Sequence, residues 1–490
     1  MANQFATLIA QAEIRLDRST GTLREQLYLQ LRDAVLTGRL LPRTPLPSTR
    51  DLAAALGLAR STVVDALDQL KAEGYLETRQ GAATRVAALE RKMLGVGSAS
   101  RSPGDDAILA APVRQQRAQW RNDDPPRPVS LRAFRPGLPD IRAFPAREWA
   151  THLARRARHP ASHDLSYAGY LGVPALREQI LSHVRLARHV QAQPEQVIVL
   201  PSAQAAFDLV AQLVIEPGDT AWTEDPGYPG ITSVLRAQKA RIVPMRVDEQ
   251  GLQPAEVGPR PRLVYVTPSH QYPTGVAMSL PRRLSLLALA RRAGAAIIED
   301  DYDSEFQYQG QPTASLQGLD RHGCVHYVGT FSKSLAPGLH VAYLIVPAQF
   351  VDLAHAVATV RGLTVPIHVQ LALADFLEAG GLRRHIRAMN VDYGARMATL
   401  VESLRQDGLL TVPAGTGGLQ LCVGWPGDPA DTAAVAALQA AGIAAAPISP
   451  LCSAVRHNGL LLGVGLVQRH EVQAAAKVMC GVLRRLHRGS

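Results

Sequence analysis

The strongest constraint on this chain is an alternation of short apolar segments with helical ones, which sets in after Phe134-Arg-Pro-Gly-Leu-Pro-Asp140. Val264-Tyr-Val266, Ala295-Ala-Ile-Ile298 and His326-Tyr-Val328 are each too short for a helix and are bounded by turn or charged residues. Short apolar strands separated by helices predict a parallel sheet covered by helices, because such strands bury both faces. From about Val351 onward the pattern predicts a long helix and a smaller α+β lobe. The larger domain is therefore expected to be an α/β unit, placed at residues 129–487.

Composition narrows the classes of function. With 490 residues there is room for two or three domains. No apolar run is long enough to span a bilayer, and the N-terminus lacks a basic-then-apolar leader pattern. A cytoplasmic protein with no membrane partner is expected. Cys324, Cys422, Cys452 and Cys480 are scattered without metal-ligand spacing, so no metal site is expected. The net charge of +10 suits a nucleic-acid partner.

Four segments carry the chemistry. Lys333 lies in Gly329-Thr-Phe-Ser-Lys-Ser-Leu-Ala-Pro-Gly338, just after a buried strand and before a loop broken by Pro337 and Gly338. Exclusion from water there favours the neutral amine, which can attack an aldehyde and form a Schiff base. Thr330, Ser332 and Ser334 supply hydroxyls of the kind a phosphate monoester needs. A second strand, Ala295–Ile298, runs into Glu-Asp-Asp-Tyr-Asp, and ligands sit at the carboxyl ends of strands in open α/β sheets. The third segment, Val264-Tyr-Val-Thr-Pro-Ser-His-Gln-Tyr-Pro-Thr-Gly275, is a strand leading to a Pro-Thr-Gly turn. The fourth, Glu224-Asp-Pro-Gly-Tyr-Pro-Gly230, presents an aromatic ring on a rigid loop.

In this order the four motifs resemble fold-type I pyridoxal-phosphate enzymes of the aspartate aminotransferase kind. The resemblance implies that Lys333 is the lysine that joins pyridoxal 5′-phosphate as an aldimine, and that Asp300 pairs with the pyridine nitrogen. It implies Tyr302 and His270 beside the 3′-oxygen and Tyr228 stacked on the ring. Ser202, Ala203 and Gln204 open the helical pattern Ala205–Val214, and their backbone N–H groups would hold the phosphate, with Thr330 and Ser332 completing the cup. Tyr167 resembles the tyrosine that reaches the phosphate from the partner subunit.

Two positions depart from the family pattern. His340 stands seven residues after the lysine, where the family's Pro-Gly-x-Arg has an arginine clamping the phosphate. An imidazole can carry charge beside a phosphate but lacks the bidentate fork. Leu461 falls about where aminotransferases keep the arginine for the substrate α-carboxylate, with Arg456 nearby. Losing that anchor removes the main orienting contact for an amino acid and argues against transamination.

Residues 15–88 read as a helical unit followed by a hairpin. Leu23, Leu27, Leu31, Val35 and Leu36 mark one face of a helix; Ser48 is placed to cap a second, Gly57 ends it, and a third starts at Ala59. Two short helices about a glycine turn are the helix-turn-helix signature, and residues 74–86 predict a β-wing. The segment resembles the winged helix-turn-helix of GntR-family regulators. That implies a double-stranded DNA operator as partner, touched by Arg50, Arg60, Ser61, Thr62 and Gly81. Eleven basic against nine acidic residues over 1–88 mean that any basic surface is local.

Between the domains, residues 89–128 hold Ser-, Gly-, Pro- and Arg-rich runs that predict a flexible linker. The whole arrangement resembles the MocR-type subfamily of GntR regulators. It implies a head-to-tail homodimer that senses pyridoxal phosphate or a small amine or amino-acid effector. The alternatives are an active aminotransferase fused to a DNA reader, and a regulator whose large domain is a cofactor-free dimerisation scaffold.

Overall fold

The computed structural model describes residues 14–78, 83–88, 133–166, 171–255, 258–308, 313–414, 417–426, 430–454 and 457–488. The chain divides into two compact units, Met1–Asp123 and Asp124–Ser490. The division falls inside the stretch expected to be a linker, whose residues 89–128 lie outside the described ones, as does the wing tip at 79–82.

In the first unit α1 (Leu23–Leu36), α2 (Thr49–Leu56) and α3 (Arg60–Ala72) precede a short antiparallel hairpin of β1 (Leu76–Glu77) and β2 (Arg85–Val86). Leu27, Leu31 and Val35 form the buried stripe of α1, four residues apart, and pack with Leu52, Val63, Leu67 and Leu70. Leu36 is exposed instead of buried, because it lies one residue off that stripe, about 100° round the helix. Ser48 caps α2: its hydroxyl accepts from the Asp51 N–H at 3.2 Å and donates to the Asp51 carboxylate at 2.6 Å. Gly57 ends α2 at φ +62°, and α3 starts from Ala59, which gives no side-chain cap.

The second unit is built on an eight-stranded sheet. Its strands are β3 (Val197–Leu200), β4 (Thr220–Asp225), β5 (Arg241–Asp248), β6 (Gly251–Leu252), β7 (Leu263–Val266), β8 (Ala296–Asp301), β9 (Val325–Thr330) and β10 (Ala342–Ile345), in spatial order β3-β10-β9-β8-β7-β4-β5-β6. Strands β9, β8, β7, β4 and β5 are parallel; β10 and β6 run against their neighbours. Both faces are covered. Tyr265, Ile298 and Val328 pack under the helix Ala203–Val214, and Val264, Val266 and Ile297 with Leu286 and Ala290 of the helix Leu280–Ala293. Period-two alternation within each apolar run sends successive side chains to these two cores.

The long helix predicted after Val351 is Gly381–Asp407, preceded by the helices Val351–Arg361 and Ile367–Glu378. It packs on the smaller lobe, an antiparallel sheet of β11 (Gln420–Gly424), β12 (Ala446–Pro447) and β13 (Gly459–Gly463) in the order β11-β13-β12. The segment 134–140 is laid across this lobe. Gly463 N–H donates to the Phe134 carbonyl at 2.8 Å, and Arg396 holds Asp140 at 2.8 Å. A Cβ at Gly463 would lie 2.0 Å from the Arg135 carbonyl oxygen, so only glycine lets the two backbones meet.

Two stability outcomes follow. Ser48→Ala costs the first unit about 1 kcal/mol, and Gly463→Ala costs the second about 1–3 kcal/mol through backbone displacement. Urea unfolding, followed by probes in each unit, checks both.

Candidate functional site

Parallel strands bring their carboxyl ends to one edge of the sheet, and there a cavity of about 240 Å³ opens. Lys333 and Asp300 both line it. Lys333 follows β9 in the short helix Phe331–Ser334, and its amine donates to the Gly137 carbonyl, delivered by the 134–140 segment. The side chain is half-buried and lines the cavity. Burial lowers the Lys333 pKa below the ordinary lysine value, and the charges of Asp303 and Asp300 only partly oppose this. The shift is in the direction that eases loss of the proton, which a lysine must give up to act as a nucleophile.

Asp300 is buried at the end of β8. Its Oδ2 accepts from the Tyr265 hydroxyl at 2.5 Å, whereas Oδ1 has no hydrogen-bond partner. Burial raises its pKa to about 7; Tyr265 and the Lys333 charge pull downward while Asp301 adds to the rise. Its neighbours Glu299 and Asp301 point to the other face. Glu299 accepts from the N–H groups of Leu316 and Gln317, and Asp301 pairs with Arg188 at 2.8 Å.

One end of the cavity is lined with donors. Ser202 caps the helix Ala203–Val214 by accepting from Ala205 N–H at 3.1 Å, so that helix N-terminus faces the cavity together with Ala203 and Gln204. Thr330 donates to Ser332 at 3.0 Å beside it. The Tyr228 ring lies over the cavity, edge-on to Phe207 and Tyr272 at 6.4 and 5.5 Å. A Cβ on Gly230 would stand 2.2 Å from that ring, so glycine there makes its seat. Tyr302 closes the other side; burial, followed by the Asp303 charge, keeps its hydroxyl protonated.

Nine of the twelve side chains expected at the site thus line one cavity. His270 does not. It is buried behind Asp303, with Nδ1 2.8 Å from the Asp303 carboxylate, and Asp303 takes the lining position. His340 is exposed at φ +50° and is not in the lining. Tyr167, Gly81 and Arg456 lie outside the described residues. Leu461 is buried in the middle of β13, opposite Cys422. Sequence reasoning missed Tyr265, Tyr272, Asp303 and Gln420, all cavity-lining. The first three stand within the motifs already singled out, whereas Gln420 arrives from the smaller lobe without a local signal.

In the first unit Arg50, Arg60 and Ser61 are exposed at the starts of α2 and α3, and Thr62 is half-buried. The Arg60 guanidinium donates to Thr49 at 3.4 Å, tying the two helix starts together.

Both units match families of known proteins. Residues 23–86 match the bacterial regulatory proteins of the gntR family, and residues 140–458 match class I and II aminotransferases. The chain is 37% identical over 438 residues to the probable rhizopine catabolism regulatory protein MocR of Rhizobium meliloti, covering 89% of this chain and 88% of that one. It is 35% identical to the HTH-type transcriptional regulator TauR of Rhodobacter capsulatus, covering 81% and 82%. It is 32% identical to the pyridoxine biosynthesis transcriptional regulator PdxR of Corynebacterium glutamicum, again covering 81% and 82%. The fold resembles the α-aminoadipate aminotransferase LysN of Thermus thermophilus with a TM-score of 0.67 at 23% identity, covering 79% of this chain and 98% of that one. The second unit is a fold-type I aminotransferase domain. The chain belongs to the MocR-type GntR transcriptional regulators.

His270 offers a pH test. Burial pushes its imidazole down, but the Asp303 charge and hydrogen bond outweigh this and leave its pKa raised above 6.5. A raised histidine contributes stability that is full below the unfolded value and is lost as pH rises through the folded one. The melting-temperature gap between wild type and His270→Gln therefore narrows as pH rises above 6.5. A pH-independent gap contradicts it.

Proposed function

We propose that this regulator binds pyridoxal 5′-phosphate covalently through Lys333 and senses either that cofactor or a small amine or amino-acid effector that reacts with it. The observation that carries the reading is the pairing, in one cavity, of a lysine with a buried carboxylate that has one oxygen unpartnered. When bound, pyridoxal phosphate supplies an aldehyde that condenses with amines and a ring nitrogen that carries positive charge.

The residues fit that group. Asp300 Oδ1, an orphaned buried acceptor, suits a cationic ring N–H, since a buried acceptor left unpaired is costly. Ser202, Ala203 and Gln204 at a helix N-terminus, with Thr330 and Ser332, suit a phosphate. Tyr228 covers a ring face, and Tyr302 offers an O–H donor to an oxygen on the ring edge. His270 acts at one remove, by fixing Asp303.

At the DNA, Arg50 and Arg60 meet phosphates while Ser61, Thr62 and the wing glycine Gly81 lie against the duplex. Two copies form a cytoplasmic head-to-tail homodimer, with Tyr167 crossing to the other subunit's site. An effector can change DNA binding only by preferring one arrangement of the dimer over another. One observation favours a second reading, a cofactor-free scaffold: among the described residues no guanidinium lines the cavity, and His340 stands outside it.

Titration of the full-length protein with pyridoxal phosphate separates the two. A visible absorption band that borohydride traps on the protein, and that Lys333→Ala abolishes, supports the first; intact protein with no band establishes the scaffold. On DNA, with a duplex selected from a random pool, Arg50→Ala weakens binding and lowers the slope of log K against log salt by about 1.

A further inference from the structure

Tyr265 is an anomaly in the core that carries it. It lies on β7, buried against the apolar side chains of Ile298, Val328 and Leu344, and borders the cavity. An O–H in such surroundings is costly unless bonded. The register pairs Tyr265 with Ile298, so Asp300 stands two residues further along β8 on the same face. That is the diagonal reach of a tyrosine between neighbouring strands. The hydroxyl meets Asp300 Oδ2 at 2.5 Å, and the ring is braced edge-on by Phe207 at 5.5 Å.

We propose that Tyr265 is the positioning residue for Asp300: its hydroxyl occupies one carboxylate oxygen and so leaves the other, Oδ1, to accept from a cationic ring N–H in the cavity. The inference rests on the cofactor reading above and adds to it a residue that acts through Asp300. Two features make the hydroxyl a donor and not a spectator. Burial, together with the Asp300 charge, raises the Tyr265 pKa well above 10, so it keeps its proton. A donated hydrogen bond also favours the charged carboxylate against the opposing effect of burial. Without it, Asp300 is free to rotate or take up a proton, and either removes the acceptor that a ring cation needs.

The test uses full-length wild-type protein, Tyr265→Phe, Asp300→Asn and the double variant, each checked for an unchanged thermal melt. Two probes are titrated: pyridoxal phosphate, and its carbocyclic analogue in which C–H replaces the ring nitrogen. Tyr265→Phe is expected to weaken pyridoxal phosphate by about tenfold and the analogue by less than about twofold, since only the former has the N–H that Asp300 receives. In the Asp300→Asn background the same change is expected to add nothing, because the two residues act as one unit. Equal weakening of both probes makes Tyr265 a packing residue and overturns the inference, as does no weakening of either. Wild-type protein that binds neither probe overturns the cofactor reading, and this inference with it.

Discussion

Asp300 and Lys333 are groups of opposite charge removed from water at the carboxyl ends of two adjacent strands, and burial acts on both in the same sense. It raises the carboxyl and lowers the amine, so each is drawn toward its neutral form. Their mutual attraction works against this without overcoming it. Such a pair is expensive to bury, and the surrounding structure is arranged around its needs. The 134–140 segment crosses the smaller lobe to offer Lys333 a carbonyl, which in turn requires glycine at 463. Tyr265 occupies one oxygen of Asp300. The other oxygen, Oδ1, has no hydrogen-bond partner and is left to the cavity.

The acids around Asp300 show how the strand sorts function from support. Alternation sends Glu299 and Asp301 to one side of β8, where they accept from the backbone of Leu316 and Gln317 and from Arg188. Asp300 alone of the three faces the cavity. Asp303, beyond the strand, is held by the His270 imidazole and by the Leu419 N–H of the smaller lobe. The cavity is thus closed on one side by a residue whose position depends on both parts of the second unit.

Much of this was legible from local rules. The stripe of α1, the Ser48 cap and the Gly57 stop follow from spacing and backbone sterics, and Leu36 fails only by one residue off the stripe. The apolar runs of β7, β8 and β9 form strands, and the motif residues Lys333, Asp300, Tyr228 and Tyr302 are brought to one cavity. What was not legible depends on tertiary placement. Whether His270 or Asp303 lines the cavity is decided by how the loop after β7 folds behind that after β8. Gln420 enters from a strand more than a hundred residues later, and no periodicity reports that. His340 keeps the sequence spacing of a clamp, yet it is exposed and does not line the cavity.

The measurement that most directly tests a sensor of this kind is DNA affinity with and without pyridoxal phosphate, for wild type and for Lys333→Ala, at one fixed salt concentration. The expected result is a ligand-dependent shift of about 5- to 150-fold, the usual range of coupling between two sites, in the wild type alone. Identical DNA affinity with and without the ligand in the wild type, or the same shift in Lys333→Ala, contradicts the coupling of the cavity to the DNA reader.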